Sequence, residues 1–566
     1  MFVSIISTLV LGSLIGSIVS VSVFGFLNFI KLLTNLFRNP ENSFISFNEF
    51  FENPFEFIFF ILMIPFLVGL LVGYIRKFTN DKRWHGPPDV ILSVHTKNNP
   101  LNIKTGFLTS LSSIFSISAG GSVGQYGPLV HFGATLGAEI KQFFYKTGDY
   151  QIFIGAGVAA AISSGFGAPI AGLVFAREVV LRHQSLASFA PILVSSTVSY
   201  LITKLFFGFE QILPASIGGV NSLFEFPALV ISGLVCGLVA TIYMKGLTTK
   251  KNLFFASKIN PVIQPALAGL LCGIIGVQIP EVIGLGTETI QKILSGNVSL
   301  MHAFYFLIIK LFLTIFCLRM GLIGGVFAPA LFIGASLGVI LGTFFQIVLP
   351  NSNLLLFAIS SMAAVGSCVI GGPVANMLII FELTSDYQAT LAAGVSIVFA
   401  SLISSKIIGQ SVFDKVLKNR NIDLTIGDEN LLLKDLKIKD ICHKNFYILK
   451  NSQNLKSAIN DLSKNGFSEG YLVNDKNKLT NKIELHNLLT LKNKNKLVSS
   501  IKKNRFLKLK DEESIYNSIS LCKNFIGESI PVVSKNNEII GVIGESDLLK
   551  IILEVSKNQK DLESKN

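Results

Sequence analysis

Apolar runs follow one another along the chain up to residue 408: 1–36, 55–76, 105–119, 126–145, 151–181, 187–207, 225–246, 262–295, 301–319, 326–349, 353–382 and 387–408. A helix needs about 20 apolar residues to cross a bilayer. Several of these runs carry an internal Gly or Pro, so the pattern predicts spanning helices mixed with broken and re-entrant ones. Irregular backbone at membrane depth survives only where protein or a water-filled pathway covers it, which points to a conduit. Polar stretches at 37–54, 78–104 and 208–222 read as loops. No basic segment precedes the apolar stretch from Phe2 to about Leu33, so it reads as a retained first helix rather than a cleaved signal. After about Lys418 the long runs stop, and Lys, Asn, Asp and Glu become dense.

Composition agrees with an integral membrane protein. Half of the 566 residues are hydrophobic (50%), 15% are charged, and mean hydropathy is +0.58. The formal net charge is +13. Many of the lysines lie in the C-terminal part, so the positive-inside tendency places that part in the cytoplasm and requires no nucleic acid as partner. The six cysteines are scattered, four of them inside apolar runs, with no Cys-x-x-Cys, so neither a disulfide framework nor a metal site is expected. The chain has no His-Glu-x-x-His, nucleophile elbow or Cys/His cluster, which argues against a membrane enzyme.

The strongest signal is a repetition. Gly121-Ser-Val-Gly-Gln-Tyr-Gly-Pro-Leu-Val-His-Phe-Gly-Ala-Thr-Leu-Gly137 returns as Gly325-Val-Phe-Ala-Pro-Ala-Leu-Phe-Ile-Gly-Ala-Ser-Leu-Gly338, with Tyr126 standing where Phe327 stands. A second pair keeps the same order and nearly the same offset. Gly167-Ala-Pro169 with Glu178 returns as Gly371-Gly-Pro373 with Glu382, each glutamate nine residues after its proline. Such pairs mean an internal duplication. Proline is at home in the first turn of a helix, and glycine before it lets backbone approach a ligand. Each motif therefore reads as a loop opening into a helix, whose unpaired N–H groups and positive dipole end attract an anion. In transporters built from repeats, such broken helices mark the binding site. The Gly-Ala-Ser/Thr-Leu-Gly half of the motif reads instead as small-residue helix packing. A further helix start stands at Trp84-His85-Gly86-Pro87-Pro88-Asp89, with His85 just before it.

Assembled, these residues resemble the CLC family of chloride channels and proton-coupled chloride transporters over about residues 5 to 420. The resemblance implies an all-α polytopic membrane protein with an internal inverted repeat and broken helices, a homodimer with one pathway per subunit, and a small inorganic anion as the permeant species. It places the pathway at His85, Gly86 and Pro87; at Gly124, Gln125, Tyr126, Gly127 and Pro128; at Gly325, Val326, Phe327, Ala328 and Pro329; and at Phe413 in Ser411-Val-Phe-Asp-Lys-Val-Leu417. In the family a glutamate serves as gate and proton carrier where this chain has Tyr126, and the inner proton glutamate of the exchangers falls at Val179.

These departures imply the mechanism. A phenol titrates near pH 10, so Tyr126 stays neutral and gates by size or by offering its OH. An apolar residue at Val179 matches the family's channels. Passive, proton-uncoupled transport of chloride or another small anion is therefore expected, the alternative being a proton-coupled or other secondary anion transporter. His85 and Phe413 replace a serine and a tyrosine, so two hydroxyl donors are exchanged for one imidazole. Its protonation would add a positive charge and make anion binding pH-sensitive. Backbone N–H groups at the helix starts are expected to remain available. Arg177, Lys310 and Glu382 read as structural ion pairs or interfacial anchors, and His131 as packing behind the gate.

The C-terminal part reads as α/β. Glu528 to Val533, a turn at Asn536-Asn537, and Ile539 to Ile543 form a hairpin, followed by a helix from Ser546-Asp547. An earlier copy runs from Glu469 to Asn474, with a helix near Leu485 to Leu489. The pair resembles CBS domains, which in some proteins hold an adenosine nucleotide. Asp547 is retained for that role, but a nearby hydroxyl is lost and Asn487 stands in the first copy, so a structural, dimer-stabilising module with no cofactor is expected. The expected division is 1–425 for the transmembrane domain, 426–435 for a linker, 436–494 and 495–556 for the CBS pair, and 557–566 for a polar tail. The expected location is a bacterial inner membrane.

Overall fold

The apolar runs become helices, and three of the longest become two each. The computed structural model describes residues 2–38, 54–79, 81–96, 100–144, 149–182, 186–208, 219–220, 222–249, 258–424, 430, 433–434, 436–491, 493–502, 505–523 and 525–564. Most of the expected loops at 37–54 and 208–222, and of the expected linker, lie outside these residues. The chain divides into two compact units, Met1–Ile422 and Asp423–Asn566.

The first unit holds α1 (Phe2–Arg38), α2 (Pro54–Ile75), α3 (Pro87–His95), α4 (Ile103–Ser118), α5 (Tyr126–Phe143), α6 (Tyr150–Phe166), α7 (Pro169–Phe175) and α8 (Leu186–Phe206). It continues with α9 (Glu225–Thr248), α10 (Gln264–Gln278), α11 (Thr287–Leu294), α12 (Leu300–Arg319), α13 (Phe327–Val348), α14 (Leu354–Ile370), α15 (Pro373–Thr384), α16 (Tyr387–Ile407) and α17 (Val412–Asn419). Among the described residues, seven helices are long and apolar enough to cross a membrane. On α12 the exposed Phe304, Ile308 and Phe312 recur every fourth residue, forming an apolar stripe suited to lipid.

The duplication is visible in the packing. α5 lies on α6 as α13 lies on α14, and α1 lies on α8 as α9 lies on α16. The runs at 151–181 and 353–382 break at Gly167 and Gly371, both left-handed (φ 68° and 73°), where a side chain would be strained. The Gly-Ala-Ser/Thr-Leu-Gly segments pack helices, as expected. A Cβ on Gly133 would stand 2.5 Å from Gly157 O, and one on Gly334 would stand 2.5 Å from Ser361 O.

The copies meet in inverted sense. Gly124 and Gly325 pair antiparallel, with Gly124 N donating to Gly325 O at 2.7 Å and Gly325 N to Gly124 O at 2.5 Å. The second motif pair is tied just as reciprocally. Glu178 accepts from Val374 N (3.1 Å) and Ala375 N (2.7 Å) at the start of α15. Glu382 accepts from Ile170 N (2.9 Å) and Ala171 N (2.7 Å) at the start of α7. Each repeat thus caps the helix of the other, placing negative charge on a positive dipole end. Glu382 is therefore a helix cap rather than an ion pair. Lys310 is a loop clamp: fully buried on α12, it donates to Val282 O (2.9 Å) and Gly284 O (2.8 Å) and lies over the Phe332 ring. The Arg177 guanidinium lies over the Phe189 ring.

The second unit repeats one motif twice. β1 (Ile448–Lys450), β2 (Glu469–Val473) and β3 (Leu479–Glu484) form one sheet; β4 (Leu509–Lys510), β5 (Ile530–Val533) and β6 (Ile539–Ile543) form the other. In each the first pairing is parallel and the second antiparallel. Helices α18 (Leu455–Lys464) and α19 (Leu485–Leu489) accompany the first sheet, and α20 (Ile515–Cys522) and α21 (Glu545–Ser564) the second. A division at 494/495 follows the two strand motifs, but the cores exchange their lead-in segments. Leu433 and Ile438 pack with Leu509, Ile530 and Ile543, and Val498 packs with Leu449 and Leu472.

Candidate functional site

The starts of α3, α5, α13 and α17 converge on one cavity of about 190 Å³ in the first unit. Its wall carries His85, Gly86, Pro87, Tyr126, Gly127, Gly325, Val326, Phe327 and Phe413, so most of the residues expected in the pathway are brought together. Gly124, Gln125, Pro128, Ala328 and Pro329 are not on that wall; Gly124 and Gln125 belong to the loop paired with Gly325, and Pro128, Ala328 and Pro329 to the first turns of α5 and α13. At Gly325 there is no room for a side chain, since a Cβ there would stand 2.6 Å from Gly127 N.

α5 and α13 begin at Tyr126 and Phe327. The N–H groups of Tyr126, Gly127, Phe327 and Ala328 occupy first-turn positions, where no intrahelical acceptor exists. Two dipole ends and their free donors therefore face each other across the paired glycines, a concentration of positive potential suited to an anion.

The start of α3 departs from what the sequence led us to expect. Pro87 and Pro88 have no N–H, and Gly86 N donates to Asp89 Oδ2 at 3.0 Å. Asp89 itself is buried, 6% exposed. Its Oδ1 receives Arg83 Nη1 and Arg420 Nη1, each at 2.7 Å, and Arg83 Nη2 lies 3.3 Å from Asp81, so two guanidiniums and two carboxylates form a compensated cluster. No backbone donor is left over in the first turn of α3; the group offered to the cavity there is the His85 ring. Trp84 holds that segment in place by donating from Nε1 to Gly321 O at 2.9 Å.

Tyr126 is 4% exposed. Its ring stacks on Phe166 (centroids 3.6 Å apart, 12° between planes) and meets Phe327 edge-on at 6.0 Å; Phe166 and Phe327 are themselves 5.7 Å apart. Tyr126 and Phe327 thus form one side of the cavity, with the Phe166 ring packed behind them. Phe166 was not singled out from the sequence. It directly precedes Gly167-Ala-Pro169, and the residue before the matching Gly371-Gly-Pro373, Ile370, lines the cavity, so the duplicated motif held the clue.

Phe413 follows Ser411, whose Oγ accepts from Asp414 N at 3.1 Å and starts α17. Asp414 pairs with Arg182 at 2.7 Å, joining α17 to the π-helical segment Ala176–Leu181. Val179 in that segment is 1% exposed and lies against Gly372, off the cavity wall, while its neighbour Glu178 is engaged in capping α15. His131, assigned to packing from the sequence, is 1% exposed, with its ring centroid 5.9 Å from that of His85. In the second unit, Asp547 Oδ2 accepts from Gly544 N at 2.9 Å and lies 3.4 Å from His443 Nε2, so the carboxylate serves as a helix cap.

Known proteins match this arrangement. The family model described as voltage gated chloride channel matches residues 64–405, and a CBS domain model matches residues 498–554. The voltage-gated ClC-type chloride channel ClcB of Escherichia coli O17:K52:H18 is 27% identical over 412 residues, covering 72% of this chain and 97% of that protein. Its counterpart in Salmonella typhimurium is 28% identical over 414 residues with the same coverage. Among solved structures, a slow cyanobacterial chloride/proton antiporter superposes with a TM-score of 0.65 at 20% identity over 73% of this chain and 97% of its own. A CLC-type fluoride/proton antiporter gives 0.62 at 21% over 73% and 98%. A eukaryotic CLC transporter gives 0.64 at 15% identity and covers 97% of this chain and 99% of its own. With a model match spanning residues 64–405, well over half of its length, the chain belongs to the voltage-gated chloride channel (CLC) family.

Proposed function

We propose that the first unit passes a small inorganic anion passively, without moving protons, and that Tyr126 is its gate. The observation that carries this reading is the Tyr126 ring, stacked on Phe166 and edge-on to Phe327 at the start of α5 where the family resemblance implies a titratable glutamate. A phenol gives up its proton only near pH 10 and so carries no proton across at neutral pH. The curated relatives are named chloride channels, which supports the channel reading. Two structural neighbours are named antiporters, which keeps proton-coupled exchange as the second reading.

Liposomes loaded with chloride test it. Efflux through the purified protein is expected to be electrogenic and indifferent to a proton uncoupler, and to quicken only towards the acid end of the range from about pH 8 to pH 5, because burial holds the His85 imidazole below its ordinary range and its protonation then adds positive charge. Protons moving in fixed ratio with chloride would overturn the channel reading. A rate flat over that range would remove His85 as a charge switch.

The same reading has two copies per assembly in a bacterial inner membrane, each with its own pathway, and the second unit on the cytoplasmic side. We read the CBS-like unit as structural because the Asp547 carboxylate is already satisfied by Gly544 N. Adding adenosine nucleotides should leave its thermal unfolding unchanged; a concentration-dependent rise in Tm would restore a nucleotide site.

A further inference from the structure

Three ring nitrogens at the cavity wall and in the layer behind it have no hydrogen bond among the described residues: Nε2 of His85, on the wall, and both Nδ1 and Nε2 of His131, behind it. The two rings meet edge to face, centroids 5.9 Å apart and 79° between planes. His85 lies on the cavity wall; His131 is not on that wall but stands behind it, almost wholly enclosed, with its ring against that of His85. An Asp81 carboxylate oxygen stands 3.4 Å from His85 Nε2 but is not aligned as a hydrogen bond. Asp89, the other acid beside them, is saturated by Gly86 N, Arg83 and Arg420. A buried polar atom without a partner is costly, so a pair of this kind points to a ligand group that completes it.

The chemistry of the pair selects among anions. An enclosed imidazole with no carboxylate bonded to it is neutral and carries one donor and one acceptor nitrogen. A halide or nitrate satisfies donors alone and leaves acceptor nitrogens unmet. An anion with its own O–H satisfies both. The need is sharper here because α3, with Pro87, Pro88 and a capped Gly86 N, supplies no backbone donor on this side; the Arg420 guanidinium on the wall, held by Asp89, offers donors but no acceptor, so only the imidazoles carry both.

We propose that His85 and His131 form a specificity-determining pair that favours a small oxyanion bearing a proton, with hydrogencarbonate as the test case. This rests on the anion-pathway reading above. Nitrate is the matched control: planar, singly charged and close in size, but without the O–H.

Binding of hydrogencarbonate, nitrate and chloride to the purified full chain would be measured by calorimetry at about pH 8. Hydrogencarbonate is expected to bind about tenfold more tightly than nitrate, an unmet buried acceptor being the difference. His131→Leu should bring the ratio towards one, and His131→Gln, which keeps a donor and an acceptor, should retain it. The ratio within one variant does not depend on how much protein folds. Equal affinities in the unaltered chain, or a preference that survives His131→Leu, would overturn the pair while chloride efflux still stood. If no anion binds and no chloride leaves the liposomes, the pathway reading falls and the inference with it.

Discussion

Tyr126→Ala should raise passive anion flux by about 5- to 150-fold. The ring is held by a stacked contact with Phe166 and an edge contact with Phe327. Aromatic pairs of this kind contribute about 0.5–1.5 kcal/mol each beyond area burial, so two of them favour the closed arrangement by about 1–3 kcal/mol. A tenfold change corresponds to about 1.4 kcal/mol, which gives the expected range. Initial efflux rates per reconstituted protein would measure it, and a rate equal to that of the unaltered chain would remove the ring as a gate. Tyr126→Phe separates two modes of action. Unchanged flux and selectivity mean gating by size; a loss of anion binding means that the hydroxyl is a ligand.

The second large effect concerns stability. Glu178→Ala and Glu382→Ala should each destabilise the first unit by about 2 kcal/mol, to similar extents. Loss of a side-chain cap costs about 0.5–2 kcal/mol. Each carboxylate here satisfies two backbone N–H groups at once, which puts it at the upper end. Thermal or denaturant unfolding in detergent would read the change. Similar losses are the diagnostic result, because reciprocal caps on equivalent helices make similar bonds. If Glu178→Ala abolished transport while leaving stability intact, Glu178 would be a pathway carboxylate, and proton-coupled exchange would regain ground next to the apolar Val179.

Much of the architecture was legible without coordinates. The ends of the apolar runs lie within a few residues of helix ends, because in lipid the backbone bonds within each segment and apolar length alone selects the span. The duplicated Gly-x-aromatic-small-Pro motif marked two helix starts, since Pro is favoured in a first helical turn and Gly lets backbones come close. The Gly-x-Pro pairs at 167–169 and 371–373 likewise marked where the runs at 151–181 and 353–382 break, but not that the break is made by a left-handed Gly, which looks like any other Gly until its neighbours are known.

What only the tertiary structure decided is partnership. The nine-residue spacing from Pro169 to Glu178 and from Pro373 to Glu382 was visible, but its reason was not. Each glutamate caps the other repeat's helix, a bond across about two hundred residues of chain. The capped start of α3 was hidden likewise. Its Gly-Pro-Pro-Asp signature announced a helix correctly, but that Asp89 takes up Gly86 N and draws in Arg420 from beyond α17 depends on the fold. His131, read as packing from its place on α5, gained its significance from the His85 ring beside it. Local sequence sets which residues open and close a helix through propensity and backbone chemistry. Which donors remain free to meet an anion depends on acceptors brought from elsewhere in the chain.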